Sequence, residues 1–129
     1  MAKLLKIGIV GCGAIGSSLA KRIRSDFKDS SLLNGVYDVD LDKSRKLAGE
    51  LGNKKLAVRD LDILIGRSGL VIEAASAKVS LNVARRTLSR GRDIMIMSVG
   101  GIIQDYKELI GLARRHNSRV FVPSERYAV

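Results

Sequence analysis

The chain has 129 residues, 46% of them hydrophobic, which is enough for one buried core and close to the modal size of a single domain, so a two-domain enzyme is not expected. A single cysteine excludes an internal disulfide, and no apolar run reaches membrane-span length or forms a secretory leader, so a cytoplasmic location is expected. The net charge of +10 comes from Lys and Arg on the polar sides and ends of several helical segments, with aromatics at only 4%; solvated helix faces are the expected role, and any nucleic-acid binding should be weak and salt-sensitive.

Residues 4–10 read as a first strand and lead directly into Gly11-Cys12-Gly13-Ala14-Ile15-Gly16, a G-x-G-x-x-G loop that opens an amphipathic helix. In that context Gly11 permits the sharp turn, Gly13 lets backbone approach a pyrophosphate, and Gly16 lets the helix lie close to the sheet. The helix amino end then offers unpaired N–H groups and a partial positive charge to the phosphates. Cys12 fills a variable position of this loop, and a small packing role is expected of it. Ile15, Leu19 and Ile23 mark the expected buried stripe of the helix.

A second strand at 33–37 ends on Asp38, 22 positions beyond Gly16 and near the roughly 20 that place a carboxylate on the adenosine ribose. Asp40 or Asp42 caps the next helix, which runs to about Leu51 and stops at Gly52. Residues 56–58 read as a short third strand, and 61–66 as one or two helical turns whose apolar run is too short to show a period. Val71 and Ile72, then Ile94 to Met97, lie in continuous apolar runs suited to central parallel strands. Between them Leu81, Ala84 and Leu88 share a helical face. Tyr106, Leu109, Ile110 and Ala113 do the same for the last helix, and Val120, Phe121 and Val122 form a sixth strand before Pro123.

Six strands alternating with helices predict an α/β fold, a doubly wound parallel Rossmann sheet of order 3-2-1-4-5-6 with right-handed crossovers, in one domain over 1–129. Ligand is then expected beyond the carboxyl ends of the first and fourth strands. The loops gathered there are 11–16, Asp38 and Val39, Glu73-Ala74-Ala75-Ser76, and Ser98-Val99-Gly100-Gly101. Gly11, Gly13, Ala14, Ile15, Gly16, Asp38, Val39, Ala74, Ala75, Ser76, Ser98, Val99 and Gly100 are the expected cofactor-contacting residues. Glu73 has two readings, a strand-end group bonding local backbone or a contact near the nicotinamide ribose; Ser76 is more simply a helix N-cap. NAD is expected to be preferred over NADP, because Asp38 would meet a 2′-phosphate with like charge and no arginine directly follows it. Lys43 and Arg45 soften that preference.

Taken in order, the glycine loop, Tyr37-Asp38-Val39-Asp40, Val71-Ile72-Glu73-Ala74-Ala75-Ser76, Met97-Ser98-Val99-Gly100 and Val122-Pro123-Ser124 resemble the N-terminal domain of L-aspartate dehydrogenases, oxidoreductases of NAD biosynthesis. The resemblance spans residues 4–124, and its narrower signal is the pair of loops after the fourth and fifth strands. It implies an NAD(P) cofactor, a family homodimer, and oxidation of L-aspartate to iminoaspartate and ultimately oxaloacetate. Homoserine dehydrogenases are the nearest confusion.

The pattern departs at Glu125. The family continues with a Gly-Ala-Ile-type segment and then a second domain carrying substrate contacts and a catalytic histidine, whereas this chain reads Glu125-Arg126-Tyr127-Ala128-Val129. Loss of one G from a family-type reading of Ser-Gly-Ala-Ile-Cys-Gly-Ile yields Ser-Glu-Arg-Tyr-Ala-Val and a stop, so a frameshifted, truncated chain that turns over little or no substrate alone is expected. No catalytic residue is assigned. His116, the only histidine, is expected to be solvated near a helix end. The competing readings are a free-standing nucleotide-sensing or interaction module, a cofactor domain of homoserine dehydrogenase type, and a charge-driven nucleic-acid binder.

Overall fold

The computed structural model describes residues 3–123; Ser124 and the 125–129 segment lie outside the described residues. Strands β1 (Leu5–Val10), β2 (Ser31–Tyr37), β3 (Leu70–Glu73), β4 (Asp93–Ile96) and β5 (Val120–Phe121) alternate with helices α1 (Ala14–Ser25), α2 (Leu41–Glu50), α3 (Leu61–Arg67), α4 (Ala77–Ser89) and α5 (Tyr106–Arg115). The strands form one parallel sheet of order β2-β1-β3-β4-β5. Its order reverses between β1 and β3, as a doubly wound α/β sheet requires.

Among the described residues the sheet has five strands where six were expected. Residues 54–56 form a 3-10 turn, and only Ala57 bridges β2, in parallel with Val36. Val58 N–H donates to the Val36 carbonyl at 2.9 Å, but the chain enters α3 almost at once, with Asp60 capping it through the Asp62 amide. No length remains for a strand, and the expected third position shrinks to one bridge on the outer edge of β2.

Two apolar layers cover the sheet. Side chains alternate along β1 and β3, so Ile7, Ile9, Leu70 and Ile72 pack with α1 and α2 on one face. Val10, Val71, Ile94 and Ile96 pack with α3, α4 and α5 on the other. The buried positions of α1 are Gly16, Ala20 and Ile23 rather than the Ile15-Leu19-Ile23 stripe: Ile15 is 58% exposed. A Cβ on Gly16 would overlap the Gly11 carbonyl oxygen, so the helix is rotated to put its smallest residue at the closest contact.

The β1–β2 register slips at one residue. Ile7 pairs with Leu33 but Gly8 with Gly35, leaving Asn34 as a bulge whose amide nitrogen donates to the Arg67 carbonyl at 2.8 Å. The slip sets two glycines side by side, and the Leu64 side chain lies over both, with the Ser68 hydroxyl crowding Gly8 and Val58 crowding Gly35.

In a parallel α/β sheet the helices run back to the amino ends of the strands, so their carboxyl ends gather there. Lys3, Lys6, Arg24, Lys28, Arg67, Arg92 and Arg119 line three adjoining depressions at that end, and Asp93, paired with Arg119 at 3.1 Å, is the single acid among the described lining residues. Arg24 and Arg92 donate to the Leu51 and Gly66 carbonyls near the ends of α2 and α3, where cations suit the helix dipole. These seven basic residues thus share one end of the molecule, Arg24 and Arg67 from the ends of α1 and α3 and the others from β1 and the connecting segments. Among the described residues no helix is long and apolar enough to cross a membrane.

Leu64 is fully buried and closes the space over both glycines. Leu64→Ala is expected to destabilise the fold by about 2–5 kcal/mol, read as a lowered urea midpoint. An unchanged midpoint would show that the site collapses around the smaller side chain.

Candidate functional site

Where β1 ends, three stretches of backbone come together. Gly11 adopts φ +104° and its N–H donates to the Tyr37 carbonyl at 2.8 Å. A Cβ there would stand 2.6 Å from the Ala75 nitrogen and 2.7 Å from the Ala74 carbonyl carbon. The glycine is therefore demanded twice, by its left-handed backbone and by the loop after β3 lying against it. Gly13 differs, because its Cβ position meets nothing within 4 Å. Open space there leaves the backbone approachable from outside. The amino end of α1 has no side-chain cap and no acid in its first turn, so the N–H groups that a helix leaves unpaired remain for an anion.

Asp38 is tied into this loop. One carboxylate oxygen accepts from Cys12 N–H at 2.8 Å and the other from Asp40 N–H at 2.9 Å. An ionised carboxylate offers about four acceptor positions, so both oxygens keep capacity for ligand hydroxyls. Asp40, rather than Asp42, caps α2 by accepting from the Asp42 amide at 3.1 Å.

A cleft of about 310 Å³ opens between these elements, at the lower end of the roughly 300–1,000 Å³ usual for small-molecule sites. Gly11, Gly13, Asp38, Val39, Ala74, Ala75 and Ser76 line it. Val39 is 79% exposed, an apolar side chain left open at the rim. Ala14, Ile15 and Gly16 form the first turn of α1 beside the cleft. Ser98 sits elsewhere, bonded to the Glu73 side chain, with Val99 and Gly100 in the 3-10 turn that follows.

Four lining residues come from α4: Val79, Asn82, Val83 and Arg86. Their spacing marks one helical face, but that face continues into the core, so sequence periodicity shows only a buried stripe. Arg86 is one of the cations assigned to solvent from sequence; it pairs with Asp62 on α3 at 2.7 Å and borders the cleft. Lys43 borders it from α2. Arg45 lies 4.0 Å from Asp42 on its own helix and does not line the cleft.

Glu73 is fully buried and bonds local backbone at the strand ends, in accord with the first of its two sequence readings. Ser76 occupies the N-cap position of α4 without a side-chain cap bond. His116 ends α5 and is exposed. Cys12 is buried, with its thiol 3.6 Å from the Tyr37 carbonyl oxygen. Burial, reinforced by the neighbouring Asp38 charge, pushes the thiol up to about 12, so the side chain is a packing group.

The family described as homoserine dehydrogenase, NAD binding domain, matches residues 11–123. The L-aspartate dehydrogenase of Methanocaldococcus jannaschii is 35% identical over 94% of this chain and 46% of its own length. That of Methanosarcina mazei is 35% identical over 94% of this chain and 45% of its own. The chain thus spans about half the length of the curated relatives it matches. Among solved structures, UDP-N-acetylglucosamine 3-dehydrogenase from Acidithiobacillus ferrooxidans superposes with a TM-score of 0.81 at 20% identity, covering 94% of this chain and 38% of that one. A gentamicin A biosynthesis protein solved in complex with NAD gives 0.77 at 21%, covering 95% and 35%. These structural likenesses establish the fold.

At pH 8 only on the order of one Cys12 thiol in 10,000 would be ionised, and the thiolate is the reactive form. Native protein is expected to resist iodoacetamide at that pH and to be alkylated stoichiometrically in denaturant, as read by intact-mass spectrometry. Rapid labelling of the native chain would contradict the buried placement.

Proposed function

The chain belongs to the family of homoserine dehydrogenase NAD-binding domains, and from that premise we propose that it is the nucleotide-binding unit, a single domain over 1–129, of an oxidoreductase of L-aspartate dehydrogenase type. The observation that carries the reading is the cleft where Gly11, Gly13, Asp38 and the Ala74-Ala75-Ser76 backbone converge beside the uncapped amino end of α1. That arrangement suits a dinucleotide: open backbone and N–H groups for a pyrophosphate, and a carboxylate with spare acceptor positions for a ribose diol.

The residue roles follow the chemistry of each part. Gly11, Gly13, Ala14, Ile15 and Gly16 cradle the pyrophosphate. Asp38 holds the adenosine ribose, and Val39 offers an apolar surface to the base. Ser98, Val99 and Gly100, with the loop after β3, border the nicotinamide half. When bound, NAD supplies the hydride acceptor; the chain binds and orients it. In the whole enzyme this reading implies oxidation of L-aspartate at its α-carbon. A homoserine dehydrogenase-type substrate is the second reading, favoured by the description of the matching family. An interdomain substrate site would separate the two, since the cofactor half serves either.

Two of the ionisable side chains that line the cleft are already engaged within the fold. Asp38 is held by two backbone amides and Arg86 by Asp62. The 129-residue chain is therefore expected to quench or enhance NADH fluorescence on binding, yet to form no NADH from NAD and L-aspartate. Aspartate-dependent absorbance growth at 340 nm from this chain alone would overturn the assignment of roles.

NAD is expected to bind more tightly than NADP, because the Asp38 charge opposes a 2′-phosphate, with Lys43 narrowing the difference. Asp38→Ala should weaken NAD about tenfold or more, since hydrogen bonds to a charged group contribute about 1.5–3 kcal/mol, and should weaken NADP less. Titration calorimetry showing equal losses for both would remove Asp38 from the ribose.

A further inference from the structure

The two loops assigned to the nicotinamide half meet at a single side chain. Glu73, the last residue of β3, is 0% exposed, and its carboxylate accepts four hydrogen bonds. Oε2 takes Ala75 N–H at 2.9 Å, Ser76 N–H at 3.1 Å and the Ser98 hydroxyl at 2.9 Å; Oε1 takes Ser98 N–H at 3.0 Å. Two of these donors belong to the loop that opens α4 and two to the loop after β4. The strands themselves do not need this link, being already joined by their ladder and by Met97 N–H to the Glu73 carbonyl at 3.0 Å. What the carboxylate adds is a fixed distance between loops beyond the ladder's end. The 3-10 turn after Ser98 is fitted to the same wall: a Cβ on Gly101 would overlap the Ala77 carbonyl oxygen and the Ser80 hydroxyl of α4.

We propose that Glu73 is the positioning residue of the nicotinamide half-site, setting Ser98, Val99 and Gly100 against the loop after β3. The proposal rests on the dinucleotide reading of the cleft. A carboxylate is required because it is acceptor-only at both oxygens, and donors arrive at both. Glutamine is nearly isosteric but must turn its NH₂ toward one side. The less costly choice faces it to the single Ser98 N–H and keeps the carbonyl oxygen on the other three donors. Glu73→Gln therefore severs chiefly the backbone link to the β4 loop while keeping the bonds to Ala75 and Ser76, which line the same cleft as Asp38. The part-buried Ser98 amide is left facing another donor, a mismatch that costs the bond without replacing it.

The test compares two ligands on the 129-residue chain and its variants. AMP probes the adenosine half alone, and NADH probes both halves, with its nicotinamide emission reporting that end directly. Expected for Glu73→Gln is an AMP affinity within twofold of the parent, an NADH affinity lowered about tenfold, and loss of the emission change on binding. Ser98→Ala, which removes one donor and spares the carboxylate, should show the same pattern more weakly and serves if Glu73→Gln does not fold. The double variant should lose less than the two single losses combined, because both act through one link. Equal weakening of AMP and NADH, or unchanged NADH binding and emission, would overturn the positioning role. Failure of the parent chain to bind either ligand would overturn the dinucleotide reading and this proposal with it, a result distinct from the other two.

Discussion

Backbone meets backbone at the carboxyl end of β1, with no room for a side chain between. Gly11 lies against the Ala74–Ala75 peptide, and Gly16 lies against the Gly11 carbonyl. These contacts fix where α1 begins relative to the sheet and how near the β3 loop comes to it. A methyl group at either position would push apart the surfaces that form the cleft. The cost would be felt at the site before the core, because the two apolar layers close around other residues.

The carboxylates extend this constraint outward. Asp38 carries it to the loop after β2 through the Cys12 amide, and Glu73 carries it to the loop after β4. Glu73 ends β3 and Asp38 directly follows β2, and each takes amides from a neighbouring loop, so loops without regular structure inherit the geometry of the sheet. A protein of this size has few other means to order four loops at once. The buried Cys12 and the Ser17 hydroxyl, 3.1 Å from the Cys12 carbonyl, fill the space behind the glycine turn.

What the sequence shows follows from which residue types have substitutes. The glycine loop and Asp38 are legible as cleft residues because the turn and the close backbone contact demand glycine and because Asp38 directly follows the next strand, and the alternation of β and α segments follows from apolar runs of the right length. Asn82 and Arg86 are not legible as cleft residues, since the sequence marks only the apolar face of α4 at Leu81, Ala84 and Leu88 and gives no sign of what its other faces border. The Gly8–Gly35 pair is hidden too: only the bulge at Asn34 brings these glycines opposite each other, and the bulge depends on a long-range register. Ile15 misleads because hydrophobicity suggests burial where the closest approach of the helix requires glycine. The segment at 56–58 has strand-like residues but is overridden by the helix cap at Asp60, a local signal stronger than three apolar positions.

The collection of cations at the amino ends of the strands gives the molecule a handle opposite its cleft. An anionic support, such as a sulfonated resin or a silica surface, would draw the protein down by that end, with a strength set by ionic strength over a distance of about 10 Å at 0.1 M salt. Molecules adsorbed this way would stand in a common orientation, the glycine loop and Asp38 turned toward the liquid. Immobilisation and access to the cleft are therefore compatible in this fold, because the cations that line these depressions lie at the end of the sheet that the cleft does not use.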